Sequence, residues 1–187
     1  MERTNICIFG QPNWLTNFAT DMENRNHIVI LVGVCGTGKS VVGQKVAQNL
    51  KVPFYDADTF LVSKDMPEGK LPQEVDLEGW LISVEELIKK QSTKKGCVVS
   101  CSIPKKEHRV RLTTNIDHPL DWVFMNDTYE NVARRVEDVV SKGRPESLLK
   151  SDFESLEIPK RALTVDMSYP KQELVDTILK YLARKYG

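Results

Sequence analysis

Several absences narrow this chain before any motif is read. Its 187 residues carry 26 Lys and Arg against 26 Asp and Glu, so there is no global basic field to draw it to nucleic acid. No apolar run approaches the roughly 18 residues a membrane span needs. The start, Met1-Glu2-Arg3-Thr4-Asn5, lacks the basic lead and long apolar core of a secretory signal. The cysteines, Cys7, Cys35, Cys97 and Cys101, contain no C-x-x-C pair, and His27, His108 and His118 are widely dispersed. That excludes the close-set ligands of a zinc site and leaves a reduced, cytoplasmic protein as the expectation. There is no internal repeat and no low-complexity segment, which excludes solenoids and polar tails. The length suits one α/β domain with a real core.

What is present is organised around Gly33-Val34-Cys35-Gly36-Thr37-Gly38-Lys39-Ser40, which matches G-x-x-x-x-G-K-[ST]. The apolar run Ile28-Val29-Ile30-Leu31-Val32 precedes it, and a helical pattern with Val42, Val46, Ala47 and Leu50 on one face follows. Strand, glycine-rich loop and helix are the context the motif requires. Such a loop turns several backbone N–H groups toward one anion, and the helix adds its positive end. Gly33, Gly36, Thr37 and Gly38 are the expected phosphate cradle. Lys39 is the mobile charge for the β- and γ-phosphates of ATP, and the Ser40 hydroxyl is a ligand for Mg²⁺.

Residues 1–26 read as an appendage, with a short apolar run, a turn and a short amphipathic helix. From 27 onward the pattern alternates. Strands are expected over 27–32, 52–55, 97–101, 122–125 and 163–165. Helices are expected over 39–50, 80–90, 105–114, 128–140, 146–156 and from Pro170 onward, with a charged, proline-containing loop over 61–76. Asp127 with Glu130 reads as a capping-box variant at the start of the 128–140 helix. Cys97 and Cys101 share one strand face as buried thiols. This pattern implies an α/β fold of three layers, a parallel sheet with helices on both faces. Ligands in such folds sit beyond the carboxyl ends of the strands, so Gly33–Ser40, Asp56–Asp58 and 100–106 should converge on one crevice.

Asp56 and Asp58 alternate, so extended backbone would put both on one side. One of the two carboxylates suits the metal shell, and the other the proton of an acceptor hydroxyl. Lys105 and Arg109 lie one helical turn apart and could meet an anionic substrate together, whereas Lys106 and Arg111 suit a solvated helix face. Arg135 and Arg144 flank the break at Lys142-Gly143-Arg144-Pro145, where a lid around 139–146 could cover ATP and stabilise charge on the moving phosphoryl group.

Three segments carry a resemblance that extends from residue 28 to the C-terminal helix. They are Phe54-Tyr55-Asp56-Ala57-Asp58, then Val98-Val99-Ser100-Cys101-Ser102 followed by Lys105 and Arg109, and Ser147-Leu148-Leu149-Lys150-Ser151-Asp152-Phe153-Glu154-Ser155-Leu156-Glu157. Together they resemble the gluconate kinases, small P-loop kinases of the adenylate/shikimate kinase type. The resemblance implies a P-loop kinase domain over 27–187, use of ATP and Mg²⁺, transfer to the 6-hydroxyl of D-gluconate, and often a homodimer. It implies that Asp56 is the metal-side carboxylate and Asp58 the acceptor-side one, and it adds Ser100 and Ser102 as partners for acceptor hydroxyls. Leu61 stands where the family usually has His, Leu77 where it has Arg, and the second lid Arg is absent. These departures predict weak gluconate binding or another acid. Three readings stay open at this point: a gluconate-type kinase, a kinase for shikimate or a nucleoside, and a nucleotide-binding sensor without turnover.

Overall fold

The computed structural model describes residues 26–60, 67, 69–138 and 145–186. Expectations for residues 1–25 with Cys7, for Leu61, and for the lid residue Arg144 lie outside the described residues.

Ile28-Val29-Ile30-Leu31-Val32 is apolar at every position, the pattern of a strand covered on both faces. It forms β1 (Ile28–Val32), with every residue at most 1% exposed. The chain continues through α1 (Lys39–Leu50), β2 (Phe54–Asp56), a short 3₁₀ turn (Ala57–Thr59), α2 (Pro72–Val75), α3 (Leu77–Ser92) and β3 (Cys97–Cys101). It ends with α4 (Lys106–Thr113), β4 (Leu120–Asn126), α5 (Tyr129–Asp138), α6 (Glu146–Glu154), β5 (Leu163–Asp166) and α7 (Lys171–Tyr186). The five strands pair in the order β2-β3-β1-β4-β5, and all four pairings are parallel. From β1 the chain goes to one edge, and from β3 it crosses to the other side. The carboxyl ends of β1 and β3 therefore flank the point where such a sheet opens a crevice.

Alternation along the strands sends side chains into two cores. Val29, Leu31, Val98, Val123 and Met125 pack with Val42 and Val46 of α1 and with Leu174, Ile178 and Leu182 of α7. Ile28, Ile30, Val32, Val99, Cys97 and Cys101 pack on the opposite face with Trp80, Leu81, Val84 and Ile88 of α3 and Leu112 of α4. Each enclosed aliphatic side chain contributes about 1.5–3 kcal/mol. The two cysteines share one face, and burial raises both thiols, Cys97 to about 12, so neither is a thiolate at neutral pH.

Several boundaries differ from expectation for local reasons. Helix α3 starts at Leu77 because the Asp76 carboxylate accepts from the Gly79 N–H at 2.9 Å and caps it. The 61–76 stretch ends in a real helical turn, α2, with Pro72 in its first turn and the Glu74 carboxylate accepting from Leu71 N at 2.7 Å. At α5 the capping side chain is Thr128, whose Oγ1 accepts from Asn131 N at 3.2 Å. Asp127 instead accepts from Thr128 N and Asn131 Nδ2, so the Asp127–Glu130 capping box does not form. At the amino end of the sheet the buried Asp121 of β4 accepts from Lys185 Nζ at 2.6 Å and from the Tyr186 hydroxyl at 2.9 Å, which ties the end of α7 down.

Candidate active site

The loop between β1 and α1 folds on its own backbone. Gly36 and Gly38 have φ of 86° and 87°, the left-handed region that residues with a Cβ rarely adopt. Thr37 is buried, and its hydroxyl donates to Val34 O at 2.9 Å, so it braces the loop. Lys39 is 5% exposed. Its ammonium donates to Gly33 O at 3.1 Å, Val34 O at 2.9 Å and Ser102 Oγ at 2.9 Å.

Asp56 and Asp58 do not share a partner. The 3₁₀ turn begins directly after Asp56, whose carboxylate accepts from Asp58 N at 3.3 Å, and it separates the two side chains. Asp56 Oδ2 accepts from Ser40 Oγ at 2.6 Å, beside the phosphate loop. Asp58 faces β3 instead. Its Oδ2 accepts from Ser102 Oγ at 2.7 Å and its Oδ1 from Ser102 N at 2.9 Å. The fully buried Trp80 holds the turn in place by donating from Nε1 to Ala57 O at 2.7 Å. Lys39, Ser102 and Asp58 thus form one hydrogen-bonded chain from the phosphate loop to the carboxyl end of β2.

Arg135 reaches across from α5. Its guanidinium donates to Gly36 O at 3.2 Å and pairs with the enclosed carboxylate of Asp127. A planar cation is thereby fixed over the loop, where its fork suits phosphate oxygens.

Next to this chain lies a crevice of about 460 Å³, walled in part by Lys70, Gln73, Leu77, Ser102, Lys105 and His108. Lys105 is half exposed, within 3.7 Å of Glu107. Burial, only partly opposed by Glu107, pushes the His108 imidazole below its ordinary pKa, so it is neutral at pH 7. Leu77 puts an aliphatic side chain into this wall.

Two expected acceptor contacts are placed elsewhere. Ser100 is 0% exposed in β3, paired with Leu31 and Asp56; it is not part of the crevice wall, and its hydroxyl has no hydrogen-bond partner among the described residues. Arg109 is 7% exposed, and its guanidinium donates to Ile103 O at 3.0 Å, Pro104 O at 2.7 Å and Glu157 O at 2.6 Å. It binds backbone carbonyls rather than a substrate carboxylate, because α4 turns it under the loop that follows β3. Arg111 forms ion pairs with the exposed Glu78 and the buried Glu85.

Three contributors were not apparent in the sequence: Gln73, Asp127 and the indole of Trp80. Gln73 Nε2 donates to Ser102 O at 2.9 Å and to Asp58 Oδ1 at 3.3 Å, across 29 and 15 residues of sequence. No periodicity reports a contact at that range. Asp127 carried a signal, an acid eight residues before Arg135 across the first turns of a helix, but its local capping reading hid it.

The groups fit the ligands the loop implies. The glycine cradle with a buried ammonium suits a polyphosphate. Ser40 and Asp56 offer hard oxygen donors, which suit a cation that binds through one or two protein groups and keeps several waters. Among the described residues no group of three or more His, Cys, Asp or Glu could hold a metal. A parallel α/β sheet with this loop, and a half-buried carboxylate beside a crevice, defines a P-loop phosphotransferase that acts on a hydroxyl group.

The comparisons with known proteins agree. A family profile described as shikimate kinase matches residues 35–176. The chain is 34% identical over 137 residues to the thermosensitive gluconokinase of Escherichia coli strain K12, covering 70% of this chain and 71% of that protein. It is 26% identical over 174 residues to a gluconokinase of Arabidopsis thaliana, covering 83% of this chain and 92% of the other. The crystal structure of a gluconokinase from Sinorhizobium meliloti 1021 superposes with a TM-score of 0.72 at 28% identity, covering 87% of this chain and 95% of that one. The chain belongs to the shikimate kinase family of small P-loop kinases. It is an ATP-dependent kinase that transfers phosphate to a hydroxyl group.

Proposed function

We propose that the acceptor is D-gluconate or a closely related sugar acid and that transfer requires Mg²⁺. The observation that carries this is the Lys39–Ser102–Asp58 chain beside a crevice whose wall includes Lys70 and Lys105. A polyhydroxy acid presents one carboxylate and several hydroxyls: the carboxylate suits Lys70 and Lys105, which lie near Glu74 and Glu107, and the hydroxyls suit the surrounding amide, hydroxyl, imidazole and carboxylate groups. The gluconokinase relatives favour this acceptor over shikimate.

ATP, when bound, would supply the γ-phosphoryl group, and Ser40 and Asp56 would hold Mg²⁺, which would neutralise part of its charge. Lys39 exchanges its contacts with Gly33 O and Val34 O for phosphate oxygens. Arg135, held by Asp127, stabilises charge on the moving phosphoryl group from the other side. Asp58 accepts the proton of the attacking hydroxyl. Ser102 serves both halves, because one hydroxyl accepts from Lys39 and donates to Asp58. Phosphate-side and acceptor-side groups are therefore positioned by the same atom.

The test is an ADP-release screen with ATP and Mg²⁺ over sugar acids, polyols, shikimate and nucleosides. Turnover is expected with gluconate or a near relative. A clear preference for shikimate or a nucleoside, or ATP binding without turnover on any acceptor, would replace this reading.

A further inference from the structure

The acceptor crevice contains a polar atom that the transfer step does not use. Gln73 comes from α2, the single helical turn before α3. Both neighbours of its amide nitrogen, Asp58 Oδ1 and Ser102 O, are acceptors. The NH₂ group must face them, because the opposite orientation would set an oxygen against a carboxylate and a carbonyl. That leaves Oε1 as an acceptor. It is enclosed and has no hydrogen-bond partner among the described residues. An enclosed acceptor without a donor is unfavourable, and Gln73 is part of the crevice wall.

We propose that Gln73 is the specificity-determining residue of the acceptor site: its Oε1 accepts a hydrogen bond from one particular substrate hydroxyl while its NH₂ keeps Asp58 aimed at the hydroxyl that reacts. The proposal rests on the sugar-acid reading of the crevice. It links recognition to chemistry through one amide. An acceptor that offers the hydroxyl satisfies Oε1 and leaves Asp58 aligned. One that lacks it leaves the oxygen orphaned, the asymmetry by which polar sites reject deoxy analogues.

The experiment compares the native chain with Gln73→Met on gluconate and on a set of monodeoxy gluconates, each retaining the reacting hydroxyl. On gluconate the variant should raise the acceptor KM about tenfold or more, the scale of one lost hydrogen bond to a buried group, with the Kd for ATP unchanged. With one analogue, and only that one, native and variant KM should coincide, which identifies the hydroxyl that Gln73 reads. A purely structural amide would instead lower the urea midpoint and leave the KM ratio the same for every analogue, and that result would overturn the proposal. An unchanged KM on gluconate would overturn it as well. The native chain reports separately on the reading beneath: if it uses a different acid, the same comparison runs on that acid and its deoxy forms. If it phosphorylates no acid, the sugar-acid reading fails and this proposal with it.

Discussion

Lys39 carries a full charge at 5% exposure, and three oxygen partners on the phosphate loop and Ser102 hold it there. A preorganised cation of this kind is worth most where charge develops, so Lys39→Ala should cut turnover by about two to three orders of magnitude. Circular dichroism should show the fold intact, and near-native turnover would remove Lys39 from the chemistry. Asp58 poses a different question, since its carboxylate is held by Ser102 and Gln73 and not by the phosphate loop. Asp58→Asn keeps the shape and loses the proton acceptor. It should lower kcat by about 10²–10⁴-fold while ATP affinity stays the same. A parallel loss of ATP affinity would instead assign Asp58 to the metal side with Asp56.

Among the elements, the loop after β3 is held by a clamp rather than by its own turn chemistry. Arg109 of α4 donates to Ile103 O, Pro104 O and Glu157 O, Glu157 N donates to Pro104 O at 3.0 Å, and the Glu157 carboxylate accepts from Lys106 N at 2.6 Å. The segment after α6 is stitched in this way to the wall of the crevice. Burial lowers the Arg109 pKa and Glu157 opposes that, so the cation persists at neutral pH. Arg109→Met keeps the apolar stem and strands three carbonyls. It should cost about 2–4 kcal/mol of stability in urea unfolding and raise the acceptor KM, with ATP binding little affected. A raised KM at undiminished stability would restore Arg109 as a direct ligand of the substrate carboxylate.

For the whole molecule, the Asp121 latch predicts alkaline behaviour. Burial works against the Lys185 charge, but the hydrogen bond and attraction of Asp121, with Tyr186, outweigh it and raise its pKa. Burial and Asp121 likewise raise the Tyr186 phenol, with Lys185 opposing. Both groups are therefore held in their protonated forms in the fold. Their stabilisation is fully present below the unfolded values, about 10.4 for lysine and 10 for tyrosine, and is lost as pH climbs above them. Urea midpoints should be steady to about pH 9.5 and then fall. A Lys185→Met, Tyr186→Phe double variant should show a shallower fall, and an equal slope in both proteins would show that the latch does not carry the effect.

The alternation of apolar runs with helical patterns determined the three-layer architecture, because the period of apolar residues is a local property of the chain. The phosphate loop was legible for the same reason: all its groups come from eight consecutive residues. Asp56, Asp58 and Arg135 could be named from their places at strand ends or on a helix. Their partners could not, since a 3₁₀ turn separates the two acids and Asp127 fixes the arginine. Residue type alone misled at Ser100 and Arg109. A serine in a strand and an arginine on a short helix look like ligands until packing shows one enclosed at 0% exposure and the other bound to three carbonyls. Only the tertiary structure brought Gln73 to Asp58 and Ser102. Hydrogen bonds between segments far apart in sequence exist only once the sheet order β2-β3-β1 has set those strand ends side by side.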